Sequence, residues 1–182
     1  LYDIGVHALD LLLWIMGNPR VVAASGATYT KLADRDEDLS TSLAESGAPV
    51  GVYDPRPYDA AEFDVEDLGA GFLRLENGAT ISLRASWAAN VADGTGETFV
   101  LGTRGGLHLH PLRLIRNLAG YQVEVAPKVP PEPSIPFYGH WRQAEHIFSV
   151  LVGKEVPIVR RDEVLNVLRA LGGLYRSAEA GR

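Results

Sequence analysis

Three observations predict an α+β fold built on a mainly antiparallel sheet. An apolar, helix-forming run opens the chain, strand-like runs separated by turn residues fill its middle, and two amphipathic helices close it. The connections between the middle runs are short, which favours antiparallel neighbours over long crossovers. With 182 residues, 46% of them hydrophobic, the chain is long enough for one domain with a sizeable core.

The first helix is predicted over residues 3–16 and stops at Gly17, Asn18 and Pro19, a left-handed cap followed by a residue that cannot continue a helix. Ile4, Val6, Leu9, Leu11, Leu12, Leu13, Ile15 and Met16 cover most of its circumference. A helix apolar on nearly every side is expected to be buried. Asp3, His7, Asp10 and Trp14 fall within one stripe roughly 60° wide at 100° per residue. Buried charge must be paired or face a wet cavity, so this stripe is expected to line a pocket. The plainer alternative is a self-satisfied network in which both aspartates pair with His7.

Residues 20–32, rich in Val, Ala, Thr and Tyr, read as a strand. Residues 33–64 are acidic, rich in Pro, Gly and Ser, and without a sustained period. They are expected as a lid, an arm across a subunit contact, or a mobile loop pinned at Val52, Tyr53 and Tyr58. A hairpin follows, centred on Asn77 and Gly78. A three-residue loop, Glu76 to Gly78 with Gly78 left-handed, pairs Leu75 with Ala79, Leu73 with Ile81 and Gly71 with Leu83. That register makes one face apolar and leaves Phe72, Arg74, Thr80, Ser82 and Arg84 on the other. Further strands are predicted over 97–101, 106–110, 112–115 and 122–126, an extended proline-rich passage over 127–136, and helices over 140–152 and 161–179. The first of these helices gathers Ala144, Ile147, Phe148 and Leu151 on one face and ends at Gly153; the second gathers Val164, Leu168, Leu171 and Tyr175.

Composition excludes several function classes. The absence of cysteine rules out a disulfide framework and thiolate metal sites and is compatible with a cytoplasmic location. A net charge of -6 argues against a nucleic-acid partner. No run reaches the roughly 18 apolar residues of a membrane span.

The chemistry concentrates in the first helix. A carboxylate four residues before a histidine can hold one ring nitrogen as N–H and leave the other free to take a proton from a substrate hydroxyl. Among the other candidates, His108 and His110 share a strand face and read as surface polar groups, so no metal site is expected. Tyr138, His140 and Trp141 stand at a helix entry, where aromatic and imidazole groups can bound a sugar pocket or simply pack the helix start. Trp87 is expected in the core or, as the second choice, in a pocket wall. The glycines of G-T-R-G-G, residues 102–106, precede an alternating strand and not a helix, so the run reads as a turn and not as a phosphate loop.

The run D-x-G-x-H-x-x-D-x-x-x-W-x-x-G, standing as Asp3, Gly5, His7, Asp10, Trp14 and Gly17, resembles the catalytic helix of the glucose-fructose oxidoreductase, inositol dehydrogenase and MocA family. Residues 63–88 are similar to that family's central hairpin, and residues 101–111 to the strand turn that follows it. The likeness spans essentially the whole chain. It implies a large, mainly antiparallel open β-sheet with helices packed on one face, and a chain of which residues 1–182 form a single substrate-binding and oligomerisation domain. The family's N-terminal Rossmann domain, which binds NAD or NADP and supplies a catalytic lysine, has no counterpart in these residues. The resemblance further implies hydride transfer between the nicotinamide and a sugar, polyol or related secondary alcohol. Asp3 and His7 would be catalytic, and Asp10, Tyr138 and His140 would contact substrate, with no cofactor-binding residue in this chain, which is expected to be inactive alone. A homodimer or homotetramer through the sheet is implied as well. The alternative from another class is a non-catalytic β-sheet oligomerisation or interaction module.

Overall fold

The computed structural model describes residues 1–32, 34, 59–89, 96–131 and 133–181. The acidic stretch and its proposed pinning cluster at Val52, Tyr53 and Tyr58 lie outside the described residues, save for residues 34 and 59–64. Along the chain run helix α1 (Gly5–Ile15), strands β1 (Val21–Tyr29), β2 (Leu68–Leu75), β3 (Thr80–Ser86), β4 (Phe99–Gly102), β5 (Gly105–His108), β6 (Arg113–Leu118) and β7 (Tyr121–Val125), then helices α2 (Tyr138–Leu151) and α3 (Arg161–Ala180). Every strand pairing is antiparallel, so the α+β class expected from the sequence is the one observed. The strands form two ladders, β1-β2-β3 and β4-β5-β6-β7. The chain divides into two compact units, Leu1–Asn90 with Arg161–Arg182, and Val91–Arg160.

In the first unit the hairpin adopts the predicted register. Leu73 opposes Ile81 and Gly71 opposes Leu83. The Leu75 amide donates to the Ala79 carbonyl at 2.9 Å, and Gly78 takes φ +85°, a conformation glycine adopts without strain. Asn77 tightens the turn by accepting the Ala79 amide on its side chain. Leu73, Leu75, Ile81 and Leu83 form the buried face of the sheet, and Leu9 and Leu13 of α1 join Val167, Ala170, Leu171 and Leu174 of α3 above it. Each fully buried leucine contributes about 1.5–3 kcal/mol relative to exposure.

The closest approach is made by Leu174. Gly26 and Gly71 are cross-strand partners on β1 and β2, and a Cβ built on Gly71 would stand 2.4 Å from Leu174 Cδ2. Two bare backbone positions therefore form the recess that receives this leucine. Polar contacts fix the rest of the helix. The Asn166 side chain accepts the Val21 amide and donates to the Asn18 side chain and the Pro19 carbonyl, all at 3.0 Å, and Ser177 Oγ accepts the Gly26 amide at 2.9 Å. The seam predicted for α3 is therefore rotated. Leu171 is in the core as expected, whereas Val164 and Leu168 are exposed and Val167, Ala170 and Leu174 take the inward positions. The recess in the sheet decides which leucine faces in.

The second unit contains the four-stranded meander. The G-T-R-G-G run is a tight turn, with Gly102 paired to Gly105 across it, as predicted. The β6–β7 turn places Ala119 and Gly120 at φ +50° and +85°, the mirror-image geometry that matches the twist of a hairpin. Arg113 Nε meets Glu124 at 2.9 Å across neighbouring strands. Helix α2 ends as predicted, with Gly153 at φ +73°. On α2 the face of Ala144, Ile147, Phe148 and Leu151 is exposed, and no other described helix or strand of the second unit packs on it.

Gly71→Ala is expected to destabilise the fold by about 1–3 kcal/mol through overpacking. The urea midpoint of Gly71→Ala combined with Leu174→Ala should fall by less than the two single shifts together, since the truncated leucine no longer meets the new methyl. Additive shifts would show that the recess is not the contact that matters.

Candidate functional site

The sequence motif lies on α1 and on the turn before it. The helix begins at Gly5, so Asp3 stands in the preceding turn and not within the helix. Leu9 and Leu13 turn into the core, and the opposite side carries His7, Asp10 and Trp14, all exposed, with Trp14 at 59%. This corrects the expectation of a helix buried all round. Among the described elements of its unit α1 packs against α3 and β3, and Ile4 and Leu11 are exposed as well. The self-satisfied network is not seen. Among the described residues no hydrogen bond or ion pair joins Asp3, His7 or Asp10 to another side chain, and their stripe lies on open surface.

The turn carrying Asp3 is held from below. No side chain caps the helix start; the Val6 amide instead donates to the Leu1 carbonyl at 3.0 Å. The Leu1 side chain fills the notch over Gly69, where a Cβ would come within 2.5 Å of it. The Tyr2 ring stacks on Tyr175 of α3, centroids 5.2 Å apart and planes 14° from parallel. The Tyr175 hydroxyl donates to the Glu66 carboxylate, which also receives the Leu1 main-chain nitrogen. Burial, then the hydrogen bond to the Glu66 carboxylate and its charge, push the Tyr175 phenol well above the ordinary tyrosine range.

Beside this cluster Asp67 is 2% exposed and fully engaged. Its carboxylate accepts the Lys31 and Leu32 amides at 2.6 and 2.7 Å, and its carbonyl accepts the Ser86 hydroxyl at 2.6 Å. Trp87 is 49% exposed, which corrects the core alternative for it; its indole N–H reaches the Glu66 carbonyl at 3.2 Å and its ring tilts against Phe63. Sequence reasoning missed Glu66, Asp67, Asn166, Ser177 and the structural role of Tyr175. The only available signal was an acidic pair immediately before an apolar strand.

Tyr138 and His140 open α2 in the other unit. Tyr138 stacks with Trp141 at 6.5 Å, and His140 meets Phe137 edge-on at 6.0 Å. His108 lies on β5, and His110 follows that strand. Among the described residues no three His, Asp or Glu side chains stand together in a way that could hold a metal. A dinucleotide needs a glycine-rich turn leading from a strand into a helix. The G-T-R-G-G run leads from strand into strand, so it does not fit that cofactor.

With this geometry in place, comparison with known proteins assigns the class. The profile of the GFO/IDH/MocA C-terminal domain matches residues 1–108, and the chain belongs to that family. It is 24% identical over 182 residues to D-glucoside 3-dehydrogenase of Escherichia coli (strain K12), covering 100% of this chain and 47% of that protein. Two solved structures share the fold. Aldose-aldose oxidoreductase from Caulobacter crescentus, complexed with glycerol, aligns with a TM-score of 0.61 and 22% identity over 99% of this chain and 45% of its own. UDP-N-acetylglucosamine 3-dehydrogenase from Acidithiobacillus ferrooxidans aligns with a TM-score of 0.65 and 14% identity over 98% and 46%. The chain thus spans about half the length of these relatives. Among the described residues no helix is long and apolar enough to cross a membrane.

A phenol whose proton is held more tightly in the folded than in the unfolded chain adds stability below the ordinary tyrosine range near pH 10, and that stability drains away as pH rises beyond it. The stability gap between the parent and Tyr175→Phe in urea melts should therefore begin to change as pH rises through about 10 and continue to do so beyond about 11. A stability gap between the two that stays constant through that interval would remove the Tyr175 to Glu66 hydrogen bond from the argument.

Proposed function

We propose that this chain is the substrate-binding and catalytic half of an NAD(P)-dependent oxidoreductase acting on a sugar, polyol or related secondary alcohol. The observation that carries the reading is the two-sidedness of α1. Leu9 and Leu13 anchor one side in the core, and the opposite side offers His7 and Asp10 to solvent beside the Asp3 turn. An exposed histidine on an anchored helix is both available to a substrate and fixed in position, which general-base work requires. Membership of the family, and relatives that are sugar dehydrogenases and oxidoreductases, support the same reading.

In this proposal His7 takes the proton from the substrate hydroxyl, and Asp3 orients His7 or the substrate. Asp10 holds a further hydroxyl, and Tyr138 and His140 contribute substrate contacts. NAD or NADP, which accepts the hydride when bound, is held by a nucleotide-binding domain outside these residues. Its substrate is a small molecule, its location cytoplasmic, and it has no nucleic-acid or membrane partner.

A second property, assembly as a homodimer or homotetramer, is supported by the uncovered face of β1-β2-β3. There Phe72, 48% exposed, lies between Arg74 and Arg84 above a row of small side chains from β1. Such a face is suited to a two-fold contact. A chain that sediments only as a monomer at tens of micromolar, where weak interfaces already associate, would count against it.

In the complete enzyme His7→Ala should lower kcat by roughly 10²-fold, with little change in nicotinamide affinity. The assay is nicotinamide reduction with a panel of aldoses, polyols and glucosides; unchanged turnover where chemistry limits the rate would take His7 out of the mechanism. The 182-residue chain alone should give no calorimetric signal with NADH or NADPH. Micromolar binding there would place the nucleotide site within these residues.

A further inference from the structure

Behind the C-terminus of α2 the chain turns sharply at Gly153 and passes through Lys154, Glu155, Val156 and Ile158 before α3 begins at Arg161. This passage has no covering element and little apolar burial, with Val156 and Ile158 both exposed. It is nonetheless closed on itself. The Lys154 and Glu155 amides donate to the Ser149 carbonyl at 2.8 and 3.3 Å. The largest reach across it is made by His146, three residues before that carbonyl. Its Nδ1 stands 2.6 Å from Glu155 Oε2, and its Nε2 accepts the Ile158 amide at 3.2 Å.

These two partners demand opposite behaviour from the ring. A carboxylate only accepts, so Nδ1 must carry hydrogen; a backbone amide only donates, so Nε2 must offer a lone pair. The neutral imidazole protonated at Nδ1 is the one form that satisfies both. Addition of a proton from solvent at Nε2 keeps the Glu155 contact and turns it into an ion pair. The same proton sets one N–H against another at Ile158, and that hydrogen bond is lost.

We infer that His146 is a pH-sensitive clasp on the α2–α3 connection, closed at two points when neutral and held at Glu155 alone when protonated. Glu155 and Lys154 are the charged groups facing the ring from the connection, and on α2 Arg142 is paired with Glu145. Within the second unit no other described helix or strand packs on α2. Imidazoles as a class gain their charge between about pH 5 and 8, and that interval sets the range over which the clasp is tested. The clasp is independent of the oxidoreductase reading, since none of its residues belongs to the proposed site.

Long-range ¹H–¹⁵N spectra and amide exchange on the 182-residue chain test this directly. At pH 8 the spectra should show His146 protonated at Nδ1 and the Ile158 amide protected. At pH 5 Ile158 protection, corrected for intrinsic exchange, should drop by about fivefold or more while Leu73 and Ile81 in the β2–β3 ladder stay protected. His146→Phe should leave Ile158 weakly protected at both pH values, and Glu155→Gln, which still accepts from Nδ1, should preserve the response. An Nε2-protonated ring at pH 8, an Ile158 amide unprotected at pH 8 or indifferent to pH, or a Glu155→Gln chain that no longer responds would each overturn the clasp.

Discussion

The first unit depends on one steric constraint, the seating of Leu174 over two glycines. Gly26 and Gly71 face each other across β1 and β2, and their missing Cβ atoms let the axis of α3 come close to the sheet. Once Leu174 is in the recess the rotation of α3 follows, and with it the inward positions of Val167, Ala170 and Leu171. Asn166 and Ser177, two turns before and one turn after, then fall against the β1 backbone, where they satisfy amide and carbonyl groups that burial would otherwise strand. An apolar fit sets the distance and buried polar groups set the register along the helix.

The same seating governs the candidate site. Because α3 occupies the sheet beside α1, α1 is left with a single packed side and an open one. The turn with Asp3 is then fastened through Tyr2, Tyr175 and Glu66, a path from the Asp3 to Gly17 motif through α3 to the loop before β2. Such support lets polar side chains remain solvent-accessible on a helix whose composition alone would bury it.

Legibility in the sequence followed the range of the interactions. The β2–β3 register could be read because a turn glycine and an alternating pattern within a dozen residues jointly exclude the competing pairing. The ends of α1 and α2 at Gly17 and Gly153 were legible for a similar reason, since a left-handed cap is a local event. The seam of α3 was not. Val164 and Leu168 are as apolar as Val167 and Leu174, and periodicity alone does not choose between adjacent stripes. The exposure of α1 and α2 was misjudged on the same ground, because hydrophobicity states what a helix could bury and not what stands opposite it.

By itself the sequence determined the order of the elements, the antiparallel pairing, the hairpin register and the motif from Asp3 to Gly17, because each rests on local backbone preference or short-range alternation. Tertiary structure alone decided which side of each helix turned inward, that Asp67, Asn166 and Ser177 would be buried and bonded with Glu66 half-buried beside them, and that His7 and Asp10 would face outward. Those outcomes depend on contacts between residues as far apart in the chain as Val21 and Asn166, or Glu66 and Tyr175, and no local pattern encodes a partner at that distance.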